Sequence, residues 1–182
     1  MNSGIVSMRY ARALFAYAAK HKAEDAIYAN MLQLSATVEQ VRTLILTLQN
    51  PLLSFSEKLD LICSAANACR EFRNFASLII RHGREELLDY IAHGYIALYR
   101  KQKNIVAARI TTAVPLNDAM RDKIAKSIAR ARNATVELEN VADSTIIGGF
   151  IYDADSVRYD ASIKGKLQKI EKQMIKRNRR LI

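Results

Sequence analysis

The fold of this chain is decided by residues 143–167, whose sequence is DSTIIGGFIYDADSVRYDASIKGKL. Residues 146–152 are apolar and β-branched, residues 153–156 have the composition of a turn, and residues 157–159 return to strand-forming types. The pattern predicts a β-hairpin, followed by a helix from Ser162 onward. Adjacent glycines weaken a strand, so Gly148 and Gly149 indicate a bulge or a point where another backbone segment comes close.

Three kinds of ligand site are excluded in this segment. The Gly-Lys pair at 165–166 lacks the upstream glycine of a phosphate-binding loop, and the glycine pair at 148–149 lacks the spacing of a dinucleotide fingerprint. The aspartates between 153 and 160 lack the spaced oxygen ligands and the closing Glu of a calcium loop. Turn and cap aspartates explain them better.

No catalytic, metal or cofactor site is expected in the rest of the chain. His21, His82 and His93 are scattered through predicted helices with no carboxylate at a metal-ligand spacing, and no Ser or Cys lies in a nucleophile motif. Cys63 and Cys69 match no zinc spacing and lie too far apart for an easy disulfide, so we expect buried, reduced thiols.

Composition narrows the class of protein. Half of the 182 residues are hydrophobic, yet no apolar run approaches the length of about 18 residues typical of a membrane span. Arg9 and Arg12 interrupt the first apolar stretch, which is untypical of a secretory signal, so we expect a cytoplasmic protein. The formal net charge of +10 favours an acidic partner: a nucleic acid, an anionic membrane or a protein.

The first hundred residues have the spacing of six helices. Helices are predicted over residues 5–20, 55–68, 70–81 and 85–103, with further helical spacing at 24–39 and 41–48. Ser54 and Glu57 form a capping box, and Gly83 stands where a left-handed C-terminal cap is wanted. Short connections between these helices predict an α-bundle.

Two of these helices have more apolar surface than one core can bury. On residues 5–20 one apolar face carries Met8 and Phe15, and a second carries Tyr10 and Tyr17. On residues 70–81 apolar side chains spread over more than half of the helix circumference. The second face of each helix is covered either by a neighbouring helix or by a partner.

The hydrophobic period changes from helical to alternating at Ile105. Strands are predicted from residue 105 and at 135–141, Asn117 caps a helix that reaches residue 132, and the hairpin adds more strand. The chain is therefore predicted to be an α+β protein, with a six-helix α-bundle at residues 1–104 and a small α/β domain at residues 105–182.

The segment that decides the fold resembles the C-terminal signature of the δ subunit of F-type ATP synthases, the family that includes the mitochondrial oligomycin-sensitivity-conferring protein. The matching residues are Asp143, Ile147, Gly148, Gly149, Asp160, Ser162, Ile163, Gly165 and Leu167. Ser144 and Ala154 depart from the Pro and Gly that are usual there, which leaves the turn type of the hairpin open. The resemblance extends through residues 10–18, Asn50-Pro51 and Gly83-Arg84, so it covers nearly the whole chain.

The resemblance implies a non-catalytic stator subunit, without a cofactor, that joins the catalytic head to the peripheral stalk and resists rotation during proton-driven ATP synthesis. In that family a groove between the first and fifth helices, the two with surplus apolar surface, receives the N-terminal helix of an α subunit. The expected groove residues are Tyr10, Ala13, Leu14, Tyr17, Phe75, Leu78, Ile79 and His82. The expected contacts with the b subunits of the stalk are Ile163, Leu167, Ile170 and Met174.

The same resemblance implies one copy per complex, a monomer when isolated, and a peripheral position on the cytoplasmic side of a bacterial cell membrane. The alternative is a basic nucleic-acid-binding adaptor, because residues 176–180 have the sequence KRNRR. Against it, the chain has no Trp and no paired aromatic strand motif. An acidic protein partner for the basic residues is the preferred interpretation.

Overall fold

The computed structural model describes residues 3–154 and 157–178, with side chains for all of these except Ser3, Lys169 and residues 172–178. The chain divides into two compact units between Gln102 and Lys103. The first unit is helical and the second combines a small sheet with helices, so the predicted fold class is confirmed.

The described part of the first unit contains six α-helices. They are α1 (Ser3–His21), α2 (Glu24–Gln40), α3 (Leu44–Leu48), α4 (Phe55–Ala66), α5 (Arg70–Arg81) and α6 (Leu88–Lys103), the last preceded by a 3-10 turn at Glu85–Leu87. The predicted helical stretch at 41–48 is shorter than expected, because Val41 ends α2 as its C-cap and the chain turns before Leu44.

Local chemistry fixes the ends of α4 and α5. The Ser54 hydroxyl accepts from the Glu57 amide at 3.3 Å while the Glu57 carboxylate accepts from the Ser54 amide at 2.8 Å, which is the predicted capping box. Gly83 has a φ of +59°, the left-handed conformation expected after α5. The bounds of α5 are those predicted.

Asn30, buried inside α2, ties three parts of the bundle together. Its side-chain amide donates to the carbonyls of Ala66 and Asn67, at 3.1 and 2.7 Å, and its side-chain oxygen accepts from the Cys69 amide. These bonds give hydrogen-bond partners to backbone carbonyls at the C-terminal end of α4 and to a backbone amide at the start of α5. The short connection between α4 and α5, on which the position of α5 depends, is therefore held by one side chain.

In the second unit the described strands form one mixed sheet of order β2-β1-β3-β4. The elements are β1 (Ile105–Thr112), α7 (Asp118–Arg132), β2 (Thr135–Ala142), a 3-10 turn (Ser144–Ile146), β3 (Phe150–Ala154), β4 (Val157–Asp160) and α8 (Ile163–Asn178). Strand β1 pairs in parallel with β2 after the α7 crossover, and antiparallel with β3. Strand β4 pairs antiparallel with β3 and forms one edge of the sheet.

The predicted first strand of the hairpin, residues 146–152, begins too early. The Asp143 carboxylate accepts from the Thr145 amide and opens a 3-10 turn, and Ile147 then takes a φ of +66°. Strand β3 starts only at Phe150 and includes Asp153, which pairs with Arg158 on β4 rather than forming the turn. The glycine pair therefore precedes the strand.

Candidate functional site

Helix α1 uses one of its two apolar faces to pack inside the bundle. Ala11 and Ala18 are fully buried, and a Cβ added to Gly94 of α6 would lie 3.2 Å from that of Ala11. The ring of Phe15 lies 5.7 Å, between centroids, from that of Tyr95 on α6. Because this face is already covered by α6, the second face of α1 is left to face α5.

Between the second face of α1 and α5 lies an open apolar cavity of about 320 Å³. We call it the α1–α5 groove. It is lined by Tyr10, Ala13, Leu14, Tyr17, Asn74, Phe75 and Leu78. Leu14 and Phe75 are buried at its floor, whereas the Leu78 side chain is 43% exposed at its wall. Amphipathic helices commonly bind other proteins by laying their apolar face into an apolar groove.

Two hydrogen bonds span the α1–α5 groove at its ends. The Tyr10 hydroxyl lies 3.1 Å from Nδ1 of His82, and the Asn74 amide donates to the Tyr17 hydroxyl at 3.3 Å. The pairing shows that α1 and α5 run antiparallel along the groove. Tyr10 and Tyr17 are two helical turns apart, so the apolar floor between the polar pairs is about 10 Å long.

The structure brings together most of the residues expected at the groove. Six of the eight line it: Tyr10, Ala13, Leu14, Tyr17, Phe75 and Leu78. His82 is next to the groove, because its Nδ1 lies 3.1 Å from the hydroxyl of Tyr10. Ile79 does not line the groove, because it is fully buried in the bundle core. Asn74 lines the groove but is not among the eight expected residues, because a polar side chain on a surface helix gives no signal for an apolar groove and its bond to Tyr17 joins residues 57 positions apart.

In the second unit, the glycine pair accommodates the start of α8. Gly149 has a φ of +80°, and a Cβ there would lie 2.5 Å from the Ala161 carbonyl oxygen. A Cβ on Gly148 would lie 3.0 Å from Cδ1 of Ile163. The Ile163 amide donates to the Gly148 carbonyl at 3.0 Å. The close backbone approach expected from the sequence is present, and the pair makes room for it.

Asp160, Ser162 and Gly165 form the other half of the same junction. The Asp160 carboxylate accepts from both the amide and the hydroxyl of Ser162, at 2.9 and 2.6 Å. The Ser162 hydroxyl in turn accepts from the Gly165 amide at 3.0 Å and caps α8. A Cβ on Gly165 would clash with the Asp160 carboxylate.

Asp143, another signature residue, lies before the glycine pair. The pKa of its carboxyl is lowered, chiefly because the carboxylate accepts the Thr145 amide. Together these contacts explain six of the signature residues, Asp143, Gly148, Gly149, Asp160, Ser162 and Gly165, as the parts that join the hairpin to α8. Their role in the structure is architectural.

Helix α8 carries an exposed apolar stripe. Ile163, Leu167 and Ile170, spaced three to four residues apart, are 47%, 56% and 51% exposed. Met174 is spaced to continue the stripe, but its side chain lies outside the described residues. The basic residues 176–180 also lie outside the described side chains. Such a stripe on a surface helix is a candidate contact for another protein.

The titratable groups form no reactive cluster in the described part of the chain. No three His, Cys, Asp or Glu side chains there are placed to hold a metal ion. Burial raises the pKa of Tyr99 to about 12, and its hydroxyl donates to Asp25 at 2.7 Å. Cys63, inside α4, and Cys69, the N-cap of α5, are free thiols but only partly buried, contrary to the prediction.

Among the described residues, no helix is both long enough and apolar enough to cross a membrane.

Comparison with known proteins gives one consistent result. The family described as ATP synthase delta (OSCP) subunit matches residues 6–174. Proteins named ATP synthase subunit delta from Bacteroides fragilis and Bacteroides thetaiotaomicron are each 39% identical over 186 residues, covering 100% of both chains. One from Lactobacillus acidophilus is 32% identical over 176 residues, covering 95% of this chain and 96% of that protein.

The fold has a counterpart among solved structures. A chain in the cryo-EM structure of the Toxoplasma gondii mitochondrial ATP synthase hexamer has a TM-score of 0.68 and 19% sequence identity. The match covers 93% of this chain and 97% of that one. At this identity the likeness concerns the fold alone.

Proposed function

The chain belongs to the ATP synthase delta (OSCP) subunit family, and on that premise we propose that it is the non-catalytic stator subunit linking the catalytic head to the peripheral stalk. Rotation of the central shaft during proton-driven ATP synthesis exerts a torque on the catalytic head. A tether that dissociates slowly holds the head still, so that torque is used for nucleotide chemistry. The function is therefore static binding of two partners.

The observation that carries this proposal is the α1–α5 groove. It is apolar, open, about 10 Å long between its polar pairs, and built from α1 and α5. We assign it the amphipathic helix at the N-terminus of an α subunit of the head. The exposed Leu78 and the buried Phe75 supply the apolar contact that such a helix needs.

The stalk contact is assigned to the second unit. The exposed stripe of Ile163, Leu167 and Ile170, with Met174 in continuation, would lie against the end of the b subunits. The net charge of +10 suits a stalk that is acidic there, because opposite charges speed association and fix orientation. One copy per complex, monomeric in isolation, meets the requirement for a single link between head and stalk.

The proposed location is the cytoplasmic side of a bacterial cell membrane, reached only through the complex. No nucleotide takes part, since the chain lacks a phosphate-binding loop. Equilibrium dialysis of the isolated protein with ATP tests this point. Saturable binding tighter than about 100 μM would contradict a purely structural role.

Calorimetric titration of the full-length protein with a peptide from the α subunit's N-terminus tests the head contact. We expect one peptide per protein and a negative heat-capacity change, because apolar surface is buried. A scrambled peptide of the same composition is the matched control. Equal binding of both peptides, or of neither, would contradict the assignment of the groove.

A further inference from the structure

Four cations stand at the corners of the α1–α5 groove. Each lies three or four residues from a side chain that lines it: Arg9 before Ala13, Lys20 after Tyr17, Arg81 after Leu78 and Arg70 before Asn74. Residues at this spacing are neighbours on a helix surface. All four cations are exposed. Because α1 and α5 are antiparallel, Arg9 and Arg81 flank one end, and Lys20 and Arg70 flank the other.

These corner cations have no counter-charge from the described part of the chain. None of the four makes an ion pair there, whereas Arg73, elsewhere on α5, pairs with Asp60 at 3.2 Å. Arg81 instead lies over the ring of Phe55, at 5.9 Å from its centroid. Helix α1 contains no acidic residue, and α5 contains one, Glu71, in its first turn. The surface around the apolar floor is therefore basic on both sides.

We propose that the occupant of the α1–α5 groove is an acidic amphipathic helix, with an apolar stripe about two turns long and carboxylates flanking both ends of that stripe. This inference rests on the proposed function and adds the chemistry by which the head's helix is recognised. Apolar side chains fill the floor between Tyr10 and Tyr17, and carboxylates on the flanks reach the four corner cations.

The corner charges contribute selectivity and a fast association rate more than total affinity. Exposed ion pairs are individually weak and are screened by salt, whereas a basic field around a groove steers acidic partners towards it. A basic helix of the same apolar pattern meets repulsion at each corner and is rejected. The polar pairs at the two ends limit the apolar stripe to the length of the floor.

Three synthetic helices test the proposal. All carry the same stripe of leucines, and the flanking positions are Glu in one, Gln in the second and Lys in the third. Fluorescence anisotropy with the full-length protein gives each Kd at about 0.05 M and about 0.5 M NaCl, because salt screens exposed charges. We expect the Glu peptide to bind about tenfold or more tighter than the Lys peptide at low salt, with a much smaller ratio at high salt.

Charge removal on the protein supplies the second arm. Arg9→Gln with Arg81→Gln should weaken the Glu peptide about threefold or more and leave the Gln peptide unchanged. The matched control is Arg42→Gln with Arg132→Gln, which removes two exposed arginines that do not line the groove and should alter neither. Circular dichroism checks that all variants are folded.

The outcomes separate the inference from the function on which it rests. If the three peptides bind equally and all are lost on Leu78→Asp, the groove binds helices but the acidic-partner inference is wrong. If neither the peptides nor the α-subunit segment binds, the proposed function itself fails. Equal weakening by the control pair would also overturn the inference, because the effect would then come from net charge and not from the corners.

Discussion

Replacing Leu78 with Asp places a charge in the wall of the α1–α5 groove while leaving the bundle core intact. Leu78 is 43% exposed, so a little more than half of its surface is buried by folding. Since full burial of a leucine contributes about 1.5–3 kcal/mol, the change should lower the free energy of unfolding by about 1–2 kcal/mol. A domain with a typical stability of about 5–15 kcal/mol remains folded.

The cost to binding is larger. A partner helix would cover the exposed part of Leu78, so the substitution forfeits about 0.6–1.3 kcal/mol of apolar burial. Enclosing a carboxylate in a contact that excludes water adds several kcal/mol, reduced in part by Arg81 one turn away. A total near 3 kcal/mol or more weakens the Kd by more than about 100-fold.

The assay is calorimetric titration with the α-subunit peptide, accompanied by thermal unfolding followed by circular dichroism. Leu61→Asp is the matched control, because Leu61 is 38% exposed on α4 and does not line the groove. Leu61→Asp should lower the free energy of unfolding by a similar amount and leave the Kd for the peptide unchanged. A folded Leu78→Asp protein that binds as tightly as the unsubstituted chain would refute the reasoning, and so would equal loss of binding in both variants.

Three further predictions concern the domains, the tail and the hairpin junction. Residues 1–104 and 105–182, expressed separately, should each fold, as helical and mixed circular dichroism spectra would show; a helical fragment that stays unfolded would contradict this. Neutralising residues 176–180 should abolish only weak, salt-sensitive retention on DNA, and submicromolar binding at physiological salt would favour a nucleic-acid adaptor. Gly149→Ala should destabilise the second unit by at least about 2 kcal/mol, since both φ and the Ala161 carbonyl oppose a Cβ. Gly148→Ala, which meets only the Ile163 side chain, should cost less in the same unfolding experiment, and the reverse order would contradict this account of the junction.

The helices of the first unit could be predicted from the sequence because the residues that specify each helix lie within it or next to its ends. The capping box of Ser54 and Glu57, the left-handed Gly83 and the apolar spacing of residues 70–81 all lie within a few residues of the feature they specify. The surplus apolar surface of the helices at residues 5–20 and 70–81 could also be predicted, from the positions of their residues around the helix axis. That surplus, together with the family resemblance, was enough to predict most residues that line the α1–α5 groove.

What the sequence could not provide depends on distant contacts. Ile146 is apolar and β-branched, which favours a strand, yet it is buried at the end of a 3-10 turn. Asn74 and Tyr17 meet only in the folded bundle, and so do Tyr10 and His82. Asn30 looked like an ordinary polar helix residue, although its three hydrogen bonds hold the connection between α4 and α5. None of these pairings has a local signal.

Site-specific photo-crosslinking in the isolated ATP synthase tests the bridging role most directly. A photoreactive amino acid replaces Leu78 in one preparation and Ile170 in the other, two positions that are exposed in the free protein. We expect adducts with different subunits: the α subunit, near its N-terminus, from position 78, and a b subunit from position 170. Adducts of both positions with the same subunit, or with neither of these two, would contradict the claim that this chain links the head to the stalk.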